Sequence, residues 1–192
     1  VRSSRITQRI VFYRDLDRVD FDTFVDWREI GNGEVGVPGL AAAFTARLQE
    51  CQAWFETPFA AARRPADGQE VPALRWAAVG GPDGGIALLN DCKYGHSAKG
   101  CQLAITLIRS GYDPDAISDV GEHRFRYAFL PYVGEWCQAG VVRKAASFNQ
   151  PLLATLGCAG EPAEGVFRPR VEGACSVLPS ILKRARDGSG TI

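Results

Sequence analysis

The stretch from Gly84 to Pro131 carries the pattern that decides the fold: GGIALLNDCKYGHSAKGCQLAITLIRSGYDPDAISDVGEHRFRYAFLP. Short apolar runs alternate in it with polar turns that contain glycine. Along Cys101–Arg109 the apolar side chains occupy odd positions, namely Leu103, Ile105 and Leu107. In His123–Phe129 the odd positions are held by His123, Phe125, Tyr127 and Phe129. A period of two residues places each set on one face of a β-sheet, so the stretch predicts strands joined by turns.

The same parity places Arg109 and His123 on the buried side of their strands. They flank the loop Ser110–Glu122, whose acidic residues are Asp113, Asp115, Asp119 and Glu122. Polar side chains gathered at one end of a sandwich are typical of a ligand rim. They are equally typical of a loop held by ion pairs, such as Arg109 with Asp115 or Asp119, and the pattern leaves both interpretations open.

Further strands are predicted on both sides of this stretch. Val19–Trp27 alternates apolar and acidic residues, as a strand with one solvated face does, and Trp27 is expected to anchor the core. GGPDGG at Gly80–Gly85 is a hairpin signal. The remaining predictions are a first strand at Arg9–Arg14, a surface excursion at Thr57–Pro72, a strand or short helix at Gly140–Ala146 and two strands in Val166–Leu182. About ten to twelve short strands favour an all-β, mostly antiparallel sandwich.

Composition and charge exclude several classes of protein. The 192 residues carry 22 basic and 22 acidic side chains, which gives no electrostatic case for nucleic acid or an anionic membrane as partner. No apolar run approaches the ~20 residues of a spanning helix. Because the sequence starts at Val1 and contains no methionine, we expect it to be part of a longer protein.

The six cysteines are irregularly spaced, at positions 51, 92, 101, 137, 158 and 175. None forms a C-x-x-C or C-x-x-H pair, so a zinc ribbon is disfavoured. In a chain long enough for an ample core we predict reduced, mostly buried thiols without a disulfide and a cytoplasmic protein.

Several segments, in order, resemble the C-terminal part of family 38 glycoside hydrolases. Within the central stretch these are NDCKYG at Asn90–Gly95, LIRSGYDPD at Leu107–Asp115 and DVGEHRFRYAFLPY at Asp119–Tyr132. The flanking segments are Ile10–Glu29, Phe55–Val79, Val141–Ala154 and Val177–Gly190. Ala60 departs from the family pattern, which has glycine after its Pro-Phe pair.

The resemblance implies a fold and a parent enzyme. Residues 1–192 would be a fragment of the C-terminal β-sandwich domain, of the galactose-mutarotase-like super-sandwich type, truncated at its C-terminal end. It also favours strands in Leu40–Phe55, although the composition of that segment favours helix. The parent would be a retaining, zinc-dependent α-mannosidase that hydrolyses terminal α-mannosides.

The family holds its nucleophile and zinc ligands mainly in a preceding α/β domain that this sequence lacks. We therefore assign no catalytic residue, no metal ligand and no cofactor to the chain, and we expect it to be inactive alone. Its expected partners are the missing catalytic domain, a mannose-containing glycan and possible further copies in an oligomer. The residues that are candidates for the rim of the sugar site are Asn90, Asp91, Lys93, Tyr94, Arg109, Asp119 and His123. Each of them could serve loop architecture instead, since Asn and Asp are common turn residues.

Two other functions remain open. A free-standing carbohydrate-binding module would bind glycans without hydrolysis. An aldose epimerase could use Glu122 and His123 as an acid–base pair. Adjacent residues of a strand point to opposite faces, however, so His96 would have to replace one of them.

Overall fold

The computed structural model describes residues 4–115, 117–150 and 185–186. Internal contacts divide the chain into two compact units, Val1–Pro151 and Leu152–Ile192. All of the described strands and the helix belong to the first unit. The strands predicted in Val166–Leu182 lie outside the described residues.

Strands dominate the described part of the chain, as the alternating pattern predicted. They are β1 (Arg5–Phe12), β2 (Val19–Trp27), β3 (Gly39–Thr45), β4 (Gln52–Thr57), β5 (Ala60–Arg64), β6 (Asp67–Pro72), β7 (Trp76–Gly81), β8 (Gly84–Asn90), β9 (Gly95–Lys99), β10 (Gln102–Arg109) and β11 (Gly121–Val133). A helix, α1 (Val141–Asn149), follows them.

These strands form two antiparallel sheets. The larger has seven strands in the order β1-β2-β11-β8-β7-β4-β5, and the smaller has four in the order β3-β10-β9-β6. β7 and β8 join through the predicted tight turn at residues 82 and 83, with Gly81 opposite Gly84. The predicted all-β, mostly antiparallel sandwich is confirmed.

The main core lies between the sheets and is built from their inward-facing side chains. In β2, Thr23, Val25 and Trp27 are buried, so the predicted alternation and the core position of Trp27 are confirmed. Aromatic rings stack across neighbouring strands and between sheets, with centroids 4.7 Å apart for Phe21 and Tyr127 and 4.8 Å apart for Phe44 and Phe129. Such pairs stabilise by about 1 kcal/mol beyond the area they bury.

A second core lies on the outer face of the seven-stranded sheet. Helix α1 covers this face with Val141, Ala145 and Phe148. The sheet contributes alternate residues of three neighbouring strands, Trp76 and Ala78, Ala87 and Leu89, and Ala128, Leu130 and Tyr132. Because these strands are covered on both faces, their sequences read as continuous apolar runs.

Two local predictions near the sheet edges differ from the structure. β1 begins at Arg5 rather than Arg9, because Arg5–Gln8 pairs with β2 and the Gln8 amide donates to Thr23 Oγ1 and Tyr127 Oη, both at 3.0 Å. The predicted surface excursion Thr57–Pro72 instead supplies β5 and β6. Both are edge strands held by backbone pairing with β4 and β9, which polar side chains do not prevent.

Two further predictions concern segments with helical composition. Leu40–Phe55 forms β3 and most of β4, as the family resemblance implied, so cross-strand pairing prevails over local propensity. Gly140–Ala146, left open between strand and helix, forms the first part of α1.

The prediction that Arg109 lies on the buried side of its strand is wrong. The register between β10 and β3 shifts between Thr106 and Ile108, which leaves Leu107 as an extra residue. A bulge of this kind reverses which positions face inward beyond it. Leu107 and Ile108 are therefore both buried, and Arg109 is exposed.

Gly80 lies where the Tyr132 ring crosses the β7–β8 hairpin. A Cβ atom at position 80 would stand 2.5 Å from Tyr132 Oη and 2.6 Å from the carbonyl oxygen of Gly84. We expect Gly80→Ala to lower the free energy of unfolding by about 1–3 kcal/mol through overpacking, measured by urea denaturation. Gly33→Ala, in a loop where a Cβ meets no atom within 4 Å, is the control. Equal stability of the two variants would contradict the close packing.

Candidate functional site

Asn90, the last residue of β8, has a structural role. It is 1% exposed. Its Oδ1 accepts a hydrogen bond from the Lys93 backbone N–H at 2.7 Å, and its Nδ2 donates to the Leu74 carbonyl at 3.0 Å. The Asn149 side chain of α1 donates to the Asn90 carbonyl at 3.0 Å. Asn90 thus closes the β8–β9 turn and joins it to two other segments, and no exposed surface remains for a sugar hydroxyl.

The side chains of Asp91 and Lys93 also contact residues of the same chain, in strand β11. Both Asp91 oxygens accept from the Arg126 backbone N–H at 3.1 Å, and Arg126 Nε lies 3.5 Å from Asp91 Oδ2. The Lys93 ammonium stands 4.6 Å from the centre of the Phe125 ring, a cation–π contact. These two interactions fasten the turn onto β11.

Tyr94, Arg109 and Asp119 are the candidates with exposed side chains. Tyr94 is 57% exposed, and Arg109 is exposed beyond the bulge of β10. In the described part of the chain Arg109 forms no ion pair, so the salt bridge to Asp115 or Asp119 that the sequence left open is absent there. A phenol ring and a guanidinium are suitable for stacking on a sugar and for binding its hydroxyls or a carboxylate.

Hydrogen bonds hold the β10–β11 loop, and its described residues form no ion pair with other described residues. His123 Nε2 donates to the Asp119 carbonyl oxygen at 2.6 Å, which assigns the ring proton to Nε2. The Ser118 hydroxyl donates to the Gly111 carbonyl at 2.6 Å, and Trp27 Nε1 donates to Ser110 Oγ at 2.6 Å. Asp119 has a positive φ of 62° and an exposed side chain. The half-buried His123 is therefore a support of this loop.

The seven candidates lie at the same end of the sandwich, where β8 and β10 end and β9 and β11 begin. They do not form one compact pocket. Asn90 pairs with Tyr127 of β11, and His123 lies four residues further along that strand. At about 3.3 Å per residue, the two backbones are about 13 Å apart along the strand. A single monosaccharide cannot contact both groups of residues.

The geometry opposes the epimerase interpretation. His96 is fully buried in the core, with Nδ1 3.2 Å from the Tyr94 carbonyl oxygen. Its Nε2 has no hydrogen-bond partner among the described residues. Glu122 is exposed, while His123 is bonded within its own loop. Neither histidine can form an acid–base pair with Glu122 around a substrate.

The prediction of wholly reduced thiols is wrong. Cys51 and Cys101 form a disulfide that joins the β3–β4 connection to the β9–β10 hairpin. Sequence spacing cannot show such a pair, because the two cysteines are 50 residues apart and meet only when the sheets pack. The argument from reduced thiols to a cytoplasmic protein is lost with it. Cys158 and Cys175 lie outside the described residues.

The remaining described cysteines, Cys92 and Cys137, are free and exposed. Desolvation of the sulfur and the neighbouring Asp91 carboxylate raise the pKa of the Cys92 thiol to about 11. Cys92 is therefore protonated at neutral pH and is a poor nucleophile.

Sequence reasoning missed two polar features. The Glu56 carboxylate is buried and accepts hydrogen bonds from the Arg75 backbone N–H at 2.6 Å and from Arg75 Nη2 at 2.5 Å. A cavity of about 340 Å³ borders Cys51 and two arginines, Arg63 and Arg64. The Arg-Arg pair is visible in the sequence, but its proximity to a sulfur is not.

Metal clusters and membrane spans are both missing from the described part of the chain. Among its residues, no three His, Cys, Asp or Glu side chains are grouped so that they could hold a metal ion. No helix there is long and apolar enough to cross a bilayer.

Comparison with known proteins gives the family of the chain. Residues 1–117 match the family profile described as "Glycosyl hydrolases family 38 C-terminal domain". The chain belongs to glycoside hydrolase family 38. It is 37% identical over 187 residues to alpha-mannosidase 2C1 of Homo sapiens, covering 93% of this chain and 17% of that protein. It is 31% identical over 142 residues to an alpha-mannosidase of Saccharomyces cerevisiae, covering 70% of this chain and 13% of that protein.

The structural neighbours agree in fold. An alpha-mannosidase from Enterococcus faecalis V583 superposes with a TM-score of 0.63 at 15% identity, covering 76% of this chain and 18% of that chain. The family 38 chain thus spans less than a fifth of the length of these relatives. The profile ends at residue 117, so it includes the NDCKYG turn and Arg109 but not Asp119 or His123.

Buried His96 makes the stability of the family 38 chain depend on pH. Burial lowers the pKa of His96 to about 4, against 6.5 when exposed. The unfolded chain therefore gains a proton before the folded chain does, and the free energy of unfolding falls as the pH drops from about 6.5 to about 4. The total loss is about 3 kcal/mol. His96→Leu should flatten this slope in urea denaturation, whereas His123→Gln should keep it. If the free energy of unfolding of His96→Leu kept the same dependence on pH, His96 would not be its source.

Proposed function

We propose that this chain is the non-catalytic C-terminal β-sandwich portion of an α-mannosidase and that it supports a catalytic domain elsewhere in the parent polypeptide. The observation that carries the proposal is the 37% identity to alpha-mannosidase 2C1 over 93% of the chain. In the parent, the reaction would be retaining hydrolysis of terminal α-mannosides.

The described residues do not fit a zinc site. Zinc sites in proteins use three or four His, Cys, Asp or Glu ligands, and no such group exists in this part of the chain. The zinc of the parent would therefore be held by ligands outside the described residues, and no chemical step is assigned to it.

The hydrogen bonds of the β8–β9 turn support a role in architecture. Asn90, Asp91 and Lys93 use their polar groups on the chain itself. A turn fixed in this way is a rigid surface for a neighbouring domain, because its side chains have no freedom to reorient. Tyr94, Arg109 and Asp119 are the members of the set whose exposed side chains could extend a sugar site formed by that domain.

The alternative is a free-standing carbohydrate-binding module. It is favoured by the exposed ring of Tyr94 at the same end of the sandwich as the exposed Arg109. An aromatic ring beside a hydrogen-bond donor is sufficient for weak binding of a sugar. The two functions differ in whether the chain binds glycan by itself.

Asn90→Ala in the full-length parent separates architecture from sugar binding. The change leaves the Leu74 carbonyl and the Lys93 N–H without their partner, so we expect the free energy of unfolding to fall by about 2 kcal/mol. The value of kcat/KM per folded molecule for an aryl α-mannoside should stay within about twofold. Tyr94→Ala, an exposed position in the same turn, should change stability by at most about 0.5 kcal/mol. Full stability with lost activity in Asn90→Ala would show direct sugar contact instead.

The isolated chain should neither hydrolyse nor bind mannosides. An aryl α-mannoside assay and a titration with methyl α-mannoside, followed by NMR of the labelled chain, measure the two properties. We expect no hydrolysis above the buffer rate and no chemical shift change at millimolar sugar. Binding that is lost in Tyr94→Ala would establish the module instead. Hydrolysis would overturn the non-catalytic assignment.

A further inference from the structure

The Cys51–Cys101 disulfide borders a small cationic cavity. The cavity, of about 340 Å³, is lined by Cys51, Gln52, Ala53, Arg63, Arg64, Pro65 and Ala66. Cys51 and Cys101 are both partly exposed. Cys101 does not line the cavity, so the two sulfur atoms differ in their access from it.

Two positive charges at this cavity have no acidic partner within the described part of the chain. Arg63 and Arg64 belong to the edge strand β5 and are exposed. As neighbours in a strand they point to opposite faces of the sheet, Arg64 on the face of Ala53 and Arg63 on the face of Trp54. Neither forms an ion pair with another described residue. Guanidinium groups bind carboxylates through paired hydrogen bonds. The cavity therefore suits a small molecule that carries a carboxylate group.

The disulfide and the cavity lie where the β9–β10 hairpin contacts the β3–β4 and β5–β6 connections. The Gly100 N–H donates to the Ala66 carbonyl at 3.0 Å, and the Ala46 N–H donates to the Cys101 carbonyl at 3.0 Å. The β9–β10 hairpin thus keeps backbone contacts with its neighbours that do not depend on the disulfide. Opening the bond would leave the hairpin held in position, which makes reversible chemistry at the sulfurs compatible with the fold.

We propose that Cys51 is a site of thiol–disulfide exchange with anionic low-molecular-mass thiols of the carboxylate-bearing type. The thiol loses its proton to solvent and its sulfur attacks Cys51 Sγ. The Cys51–Cys101 bond breaks as the new S–S bond forms, and the electron pair leaves on Cys101 Sγ, which takes up a proton. The incoming thiol is oxidised and Cys101 is reduced, so the exchange needs no further oxidant.

Three structural features direct this reaction to Cys51. Cys51 lines the cavity and Cys101 does not. One guanidinium of the pair can bind a carboxylate directly, and the other adds to the positive potential at the edge of β5; nearby cations favour the charged form of the attacking thiol. The released Cys101 thiol has a hydrogen-bond acceptor at hand, since the Leu48 carbonyl oxygen lies 3.5 Å from Cys101 Sγ.

The test compares reduced glutathione, which is anionic, with cysteamine, which is cationic. The chain carries Cys92→Ser and Cys137→Ser so that the exposed free thiols do not react. We expect mass spectrometry of alkylated peptides to place the adduct on Cys51. The ratio of the glutathione rate constant to the cysteamine rate constant should fall about tenfold in Arg63→Gln/Arg64→Gln. In the chain that keeps both arginines, high salt should lower the same ratio.

A matched control has the same net charge. Arg14→Gln/Arg143→Gln removes two exposed arginines that do not line the cavity and should keep the ratio within about twofold. Cys101→Ser, treated with oxidised glutathione, should give a stable adduct on Cys51; if that variant fails to fold, the arginine variants decide alone. An adduct on Cys101, an unchanged ratio in Arg63→Gln/Arg64→Gln, or no exchange with either thiol overturns the proposal.

Discussion

Strand β11 is the constraint on which the rest of the fold depends. It pairs with β2 on one side and with β8 on the other, and so joins the N-terminal hairpin to the remainder of the seven-stranded sheet. Its inward residues Phe125 and Tyr127 belong to the core between the sheets. Its outward residues Ala128 and Leu130 belong to the core under α1. One strand thus supplies apolar surface to both hydrophobic cores.

The outer face of β11 is exposed to solvent before Arg126 and is covered by α1 after it. This guanidinium lies 5.1 Å from the centre of the Phe148 ring of α1, and its Nε lies 3.5 Å from Asp91 of the β8–β9 turn. The contact is half-exposed, so its electrostatic contribution to stability is small. Its consequence is positional, because it aligns the end of the helix, the turn and the central strand. Asp91 of that turn is therefore linked through Arg126 to the packing of α1 on the outer face of the sheet.

Strands whose side chains alternate between two faces can be predicted from the sequence. Strands and local irregularities that depend on backbone pairing with a neighbour cannot. β2 and β11 can be assigned because their inward positions alternate with polar ones. The edge strands β5 and β6 cannot, since backbone hydrogen bonds to a neighbour define them and their side chains are mostly exposed. Periodicity places Arg109 on the wrong face because a bulge interrupts a regular period without a change in composition. Within the candidate site, the turn at Asn90 is recognisable, whereas the bonds that occupy Asn90 and Asp91 involve residues distant in sequence.

The two ends of the sandwich are chemically separate. β10 runs from the disulfide end, at Cys101, to the end that carries Arg109 and the rim candidates. At about 3.3 Å per residue these ends are about 26 Å apart, well beyond the Debye length of about 8 Å at physiological salt. The charge of a group bound at Arg63 and Arg64 is therefore screened from the end that carries the rim candidates. Any coupling between the ends would have to pass through the strands themselves, and the interior of β10 is paired with both neighbours, β3 and β9. A close-packed interior resists small displacements, so chemistry at the sulfurs can vary while the geometry at the opposite end is retained.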